Sequence, residues 1–245
     1  QLYGKKITFN DGEYPGDYLI KIAKNISSQD KNNWLNKAQD KRNNFFKSYA
    51  VKEILNSIIN DLKKIGINFD KFIFETEIIK KNKIIDIFNI LKKKNLLYEG
   101  ILKKPKGEDL PDWEPRSQLL FRSSNFDDDS DRPFKKANGE WTYFANDSAY
   151  HYDKYLRNYS HLINIWGADH IGYIKRMKSI VETISHQSNY LDIQICQIVR
   201  IIKGRKVLKM SKREGNFVTL KDILKQVGKD PLRYFMISSK SETPM

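Results

Sequence analysis

Leu162-Ile163-Asn164-Ile165-Trp166-Gly167-Ala168-Asp169-His170 is the stretch that decides the fold. Leu162 to Trp166 is a short, mostly apolar run and reads as a buried strand. Gly167 to His170 turns the chain, and Ile174, Met177, Val181 and Ile184 then recur at helical spacing. Strand, tight turn and helix in that order make the unit of an α/β sheet, whose ligands bind where the strands end. Gly167 lets a ligand approach the backbone at that point. The Asp169 carboxylate can accept hydrogen bonds from ribose hydroxyls, or it can cap the following helix.

Downstream, Ile198 to Ile202 and Lys206-Val207-Leu208 predict a hairpin with Gly204 in its turn. Lys209-Met210-Ser211-Lys212 follows, with Arg213, Gly215 and Asn216 close behind. Two ammonium groups on one short loop, beside a small Ser and a nearby Gly, can close over a triphosphate and stabilise the charge that develops as pyrophosphate leaves. Charge alone would make the same tetrapeptide a solvated surface loop. Thr219 and Asp222 predict a capping box for a helix carrying Leu220, Ile223, Leu224 and Val227, with Gly228 ending it and Asp230-Pro231 opening another.

Upstream lie apolar runs at Leu119-Leu120-Phe121 and Trp141-Thr142-Tyr143-Phe144. The first part of the chain reads as helical and structural. Leu19, Ile22, Ala23 and Ile26 mark one amphipathic helix, and Val51, Ile54, Leu55, Ile58, Ile59 and Leu62 mark another that stops at Gly66, each with one buried face. Phe72-Ile73-Phe74 reads as a short strand, Ile84, Ile87, Phe88 and Leu91 as a third helix, and Lys103 to Pro115 as turns.

A chain of 245 residues with 40% hydrophobic residues can bury a core. It has no apolar run of membrane-spanning length, and its N-terminus lacks a secretory pattern, so a soluble cytoplasmic protein is expected. Cys196 is alone, which excludes an internal disulfide, and it reads as an apolar interior residue. His151, His161, His170 and His186 lack metal-ligand spacing, so no dedicated metal site is expected. Asp127, Asp129 and Asp131 alternate like the first ligands of a calcium loop. Arg132 stands where that loop needs Gly and Asn138 where it needs Glu, so the run reads as a solvated turn. The formal charge of +14 suits a partner rich in phosphates, although a general drift toward Lys, Asn and Ile would produce the same excess.

Lys209 to Leu220, KMSKREGNFVTL, resembles the signature loop of class I aminoacyl-tRNA synthetases in the form found in bacterial arginyl enzymes. The stretch Tyr143-Phe144-Ala145-Asn146-Asp147, continuing through His151 to Lys154, resembles the arginyl-family segment in which a Tyr and an Asp one helical turn later face the substrate. Tyr14 to Leu19 and Trp113 to Ser123 are similar to that family too. The resemblance implies an α/β, Rossmann-like nucleotide-binding catalytic domain, present in part and interrupted by a mostly helical insertion. Residues 1–114 would form that insertion or connective region, 115–236 the second half of the catalytic domain, and 237–245 the start of a link to a C-terminal anticodon-binding domain. It also implies ATP with Mg²⁺, L-arginine and the arginine tRNA as substrates and partners, in a monomer. Lys209, Ser211 and Lys212 would be catalytic. Gly167, Asp169, Lys209, Met210 and Lys212 would bind ATP, and Tyr143, Asp147 and His170 would bind arginine.

One departure stands against these matches: the family's His-x-Gly-His turn does not occur in the sequence. The chain, which opens on Gln1, is therefore expected to be a piece that begins after the first half of the fold and is inactive by itself. A class I synthetase for another amino acid, or a basic RNA-binding module without activation chemistry, are the alternatives.

Overall fold

The computed structural model describes residues 16, 18–31, 33–102, 115–204, 206–207 and 218–243. Along the chain, α1 (Tyr18–Asp30), α2 (Gln39–Lys64), α3 (Glu75–Lys80) and α4 (Lys83–Lys93) precede β1 (Leu97–Ile101), β2 (Ser117–Phe121) and β3 (Arg132–Lys135). Then come α5 (Tyr143–Tyr155), β4 (Leu162–Gly167), α6 (Ile174–Ser185) and β5 (Leu191–Cys196). The short strands β6 (Ile202–Lys203) and β7 (Lys206–Val207) lead to α7 (Leu220–Val227) and α8 (Lys229–Ser238). Contacts divide the chain into two compact units, one of residues 1–70 with 199–240 and one of 71–198 with 241–245.

The second unit is built on the expected strand, turn and helix. β4 and β5 pair in parallel, Leu162 opposite Leu191 through Gly167 opposite Cys196, and α6 is the crossover between them. One face of α6 buries Met177, Val181 and Ile184 of the periodic set, with Ile180 beside them, while Ile174 is half-buried at the start of the helix. Ile84, Ile87 and Leu91 of α4 enter the same core at helical spacing. Phe134 of β3 meets Phe144 of α5 edge to face at 5.9 Å, and Phe121 of β2 lies 5.8 Å from the same ring. The strand expected to be buried is buried on one face only. Leu162 and Asn164 point inward, whereas Ile163 and Ile165 are 66% and 72% exposed. A parallel sheet normally has both faces covered, and among the described residues only one face is.

Several expectations change. Phe72-Ile73-Phe74 forms no strand; Phe74 is extended as the residue that enters α3. The Trp141–Phe144 run is split: Trp141 bridges Lys135, and the Thr142 hydroxyl accepts from the Ala145 N–H at 3.3 Å and starts α5. α2 has no fully buried residue, with Val51 and Ile58 among its exposed apolar side chains. β1 was not expected at all. It pairs antiparallel with β2, and Gly100 fits beneath Leu120, whose Cδ1 would lie 3.0 Å from an added Cβ. Cys196 ends β5 half-buried rather than enclosed.

In the first unit the hairpin is short, with Gly204 at φ +64 in its turn. The capping box is realised: Thr219 Oγ1 accepts from the Asp222 N–H at 3.2 Å, and Asp222 Oδ2 accepts from the Thr219 N–H at 3.1 Å. Gly228 ends α7 at φ +80. Arg233 of α8 donates to the Ile65 carbonyl at 2.6 Å, satisfying the end of α2. No described helix is long and apolar enough to cross a membrane.

The acidic run is not a solvated turn. Asp128 is buried, and its carboxylate accepts from Ser123 Oγ at 2.6 Å and from Arg132 Nε and Nη2 at 2.8 Å each. Asp131 accepts from Tyr98 Oη and Ser124 Oγ, both at 2.6 Å. Asp127 and Asp129 are the exposed carboxylates of the run, and Asp129 also pairs with Arg132. Burial alone would raise the pKa of Asp128. The hydrogen bonds from Arg132, Ser123 and the Asp129 N–H outweigh it and hold the carboxyl well below the usual range. Asp128→Asn should therefore lower stability at pH 7 by at least about 2 kcal/mol. Because the folded pKa is depressed, that stabilisation is present above the ordinary carboxylate pKa and fades as pH falls below about 4. Urea melts of both proteins at pH 7 and below pH 4 measure it; an equal gap at both would mean that ionisation of Asp128 contributes nothing.

Candidate active site

The end of β4 and the start of α5 hold the described residues that the sequence singles out as a candidate site. At Gly167 an added Cβ would lie 2.7 Å from Asp169 Oδ1, so only glycine lets the carboxylate fold back against the strand end. Residues 168–173 form a 3-10 turn with no side-chain cap, so Asp169 caps no helix. Its side chain is 77% exposed, with His170 Nε2 at 3.7 Å. The His170 ring is flanked by Trp166 and Tyr173, at 6.2 and 6.4 Å between centroids.

Thr142 starts α5 at Tyr143, so the Tyr and the Asp do lie one helical turn apart. Tyr143 and Asp147 consequently occupy successive turns of one face, both open at the surface, with the Tyr143 ring 81% exposed. The surrounding protein raises the pKa of Asp147, and the nearby Glu75 carboxylate raises it further, while His170 and Lys154 act in the opposite direction. Asp147 thus lies within electrostatic reach of groups on three other segments or turns. Glu75, the first residue of α3, is held by Asn146 Nδ2 at 2.8 Å. The sequence reading missed it, and no local signal marks it, because α3 meets α5 only through the tertiary fold. Two carboxylates and a phenol facing solvent suit a cation with several N–H donors, and a planar guanidinium can meet a carboxylate through two parallel bonds.

Tyr143, Asp147 and His170 are therefore brought to one region, with Asp169 on the turn beside His170. Lys209, Met210, Ser211 and Lys212 lie outside the described residues, between the β6–β7 hairpin and the capped start of α7. Among the described residues no three His, Cys, Asp or Glu side chains converge to hold a metal. His161 pairs with Asp192 at 2.9 Å, away from these groups.

A parallel strand pair thus ends in an acidic turn next to a helix that presents a second carboxylate, and comparison with known proteins gives the class of the chain. Residues 138–245 match the family described as tRNA synthetases class I (I, L, M and V). The chain belongs to the class I aminoacyl-tRNA synthetases. Within that class it belongs with the arginine–tRNA ligases, which it matches along its whole length. It is 44% identical to the arginine–tRNA ligase of Pelagibacter ubique over 100% of this chain and 42% of that protein. It is 41% identical to that of Roseobacter denitrificans over 99% of this chain and 42% of that protein. A solved Campylobacter jejuni structure, assigned as an arginyl-tRNA synthetase, superposes with a TM-score of 0.81 at 27% identity, covering all of this chain and 49% of that one. The chain thus spans about 42% of the length of these curated relatives.

Proposed function

We propose that the protein carrying this chain joins L-arginine to its tRNA at the expense of ATP, through an arginyl-adenylate. The arginine carboxylate attacks the α-phosphorus of ATP and pyrophosphate leaves. A ribose hydroxyl at the tRNA end then attacks the acyl carbon and AMP leaves. The observation that carries the reading is Asp147, beside Glu75 on an exposed helix face and near the turn that holds Asp169, in a chain matched end to end by arginine–tRNA ligases.

In this reading Tyr143, Asp147 and His170 meet the amino acid, while Gly167 and Asp169 meet the nucleoside. Lys209 and Lys212, on a loop with Met210 and Ser211, take the phosphates, and Mg²⁺ enters on the triphosphate. Residues 115–236 would form the catalytic half and residues 1–114 its mostly helical insertion, a division supported by the match over residues 138–245. Amino-acid-dependent pyrophosphate exchange by the full-length protein, with tRNA present, tests the function. Arginine should support exchange; exchange with another amino acid and none with arginine would overturn the reading.

A further inference from the structure

Asn164 is a polar residue at the centre of the most apolar strand, and it is 4% exposed. Its Oδ1 accepts from the Lys154 ammonium at 2.7 Å. Its Nδ2 lies 2.8 Å from His151 Nε2, and His151, 3% exposed, places Nδ1 2.8 Å from the Asp147 carbonyl. Every proton in this chain can be assigned. An ammonium only donates and a carbonyl only accepts, so His151 carries its proton on Nδ1, accepts at Nε2 from the Asn164 amide, and is neutral. Reversing the Asn164 amide would set its NH₂ against the ammonium and leave the Asp147 carbonyl without a ring donor. Burial and the neighbouring Lys154 push the His151 pKa down to about 4, in agreement with a neutral ring. Lys154 pairs with no carboxylate among the described residues; besides Asn164 it lies over the Tyr150 ring, 4.5 Å from its centre.

We propose that Asn164, His151 and Lys154 are positioning residues for the arginine site, a one-way hydrogen-bond chain that locks the Asp147 turn of α5 onto the strand that ends at Gly167 and Asp169. The inference rests on the function proposed above. Two parts of the site come from different elements, and this chain ties them side chain to side chain. β4 is also held by its full ladder with β5, from Leu162 to Gly167. If the link is cut, the side that shifts is therefore α5, and with it the carboxylate that meets the guanidinium. Misplacing a substrate-orienting group acts on the amino acid far more than on ATP.

The test is Asn164→Leu and Asn164→Asp in the full-length enzyme. Asn164→Leu removes both bonds, so the arginine KM should rise on the order of tenfold with the ATP KM within about twofold. Asn164→Asp can still accept from Lys154, but it can meet His151 only if the ring takes a second proton. The groups facing that ring are the Asn164 site, Lys154 and the Asp147 turn. Arginine KM in Asn164→Asp, read as a ratio to the wild type at each pH, should approach one at low pH and grow as pH rises. Nitrogen-15 NMR of the wild-type ring should show the neutral Nδ1–H form at pH 7. A wild type without arginine-dependent exchange would sink the function itself. With that exchange present, equal rises in both KM values, a ratio for Asn164→Asp that stays flat with pH, or an Nε2–H ring would each overturn the positioning role.

Discussion

Lys212→Ala in the full-length protein should slow arginyl-adenylate formation by about 10²–10³-fold, the usual cost of one preorganised donor to developing charge. Arginine binding should change little. The Lys212 ammonium would act on charge that grows on the phosphates as pyrophosphate departs, and an interaction made mainly in the transition state appears in kcat rather than in ground-state binding. Single-turnover adenylate formation, read beside arginine binding at equilibrium, separates the two. Unchanged single-turnover rates in Lys212→Ala would remove the loop from the chemistry.

What the sequence made legible was local. β4 and the capped α7 each combine an apolar pattern with a boundary residue that has its own physical reason, Gly167 and Thr219, and α6 is marked by its apolar period. The misreadings arose where pattern and context disagree. Phe72 to Phe74 is apolar enough for a strand yet forms none among the described residues, and β1 is a strand whose Glu99 and Gly100 hide its pattern. The acidic run looked solvent-facing because nothing local announces that Ser123, Tyr98 and Arg132 converge on it. In the site, Asp169 stands out through its place at the end of a strand, and Tyr143 and Asp147 through the resemblance to the arginyl family. Glu75 and the partners of His151 do not, since they are joined to it by folding across long sequence separations. Asn164 was the available clue, because an amide inside an apolar strand needs a buried partner.

Asp147→Asn should lower arginine use by the full-length enzyme at least about a hundredfold while leaving ATP affinity nearly unchanged. The substitution keeps size and shape and removes one charge. A charge-assisted hydrogen bond contributes roughly 1.5–3 kcal/mol, and losing the carboxylate charge also removes one of the two parallel bonds and the Coulombic attraction to the guanidinium. The raised pKa of Asp147 gives a second signature. Partial desolvation by the surrounding protein, and then Glu75, favour its neutral form, so arginine affinity in the wild type should weaken, as pH falls, at a higher pH than for an ordinary aspartate. Asp147→Asn should lose that dependence. Lysine should remain a poor substrate for the wild type, because a point-like ammonium cannot reproduce the planar fork of donors. Tyr143→Phe, which removes only a hydroxyl from an exposed ring, should cost less than Asp147→Asn. Arginine kinetics for both variants across pH decide the matter. An unchanged arginine requirement in Asp147→Asn would place the carboxylate outside the pocket, and the choice of arginine would then rest on the likeness to arginine–tRNA ligases alone.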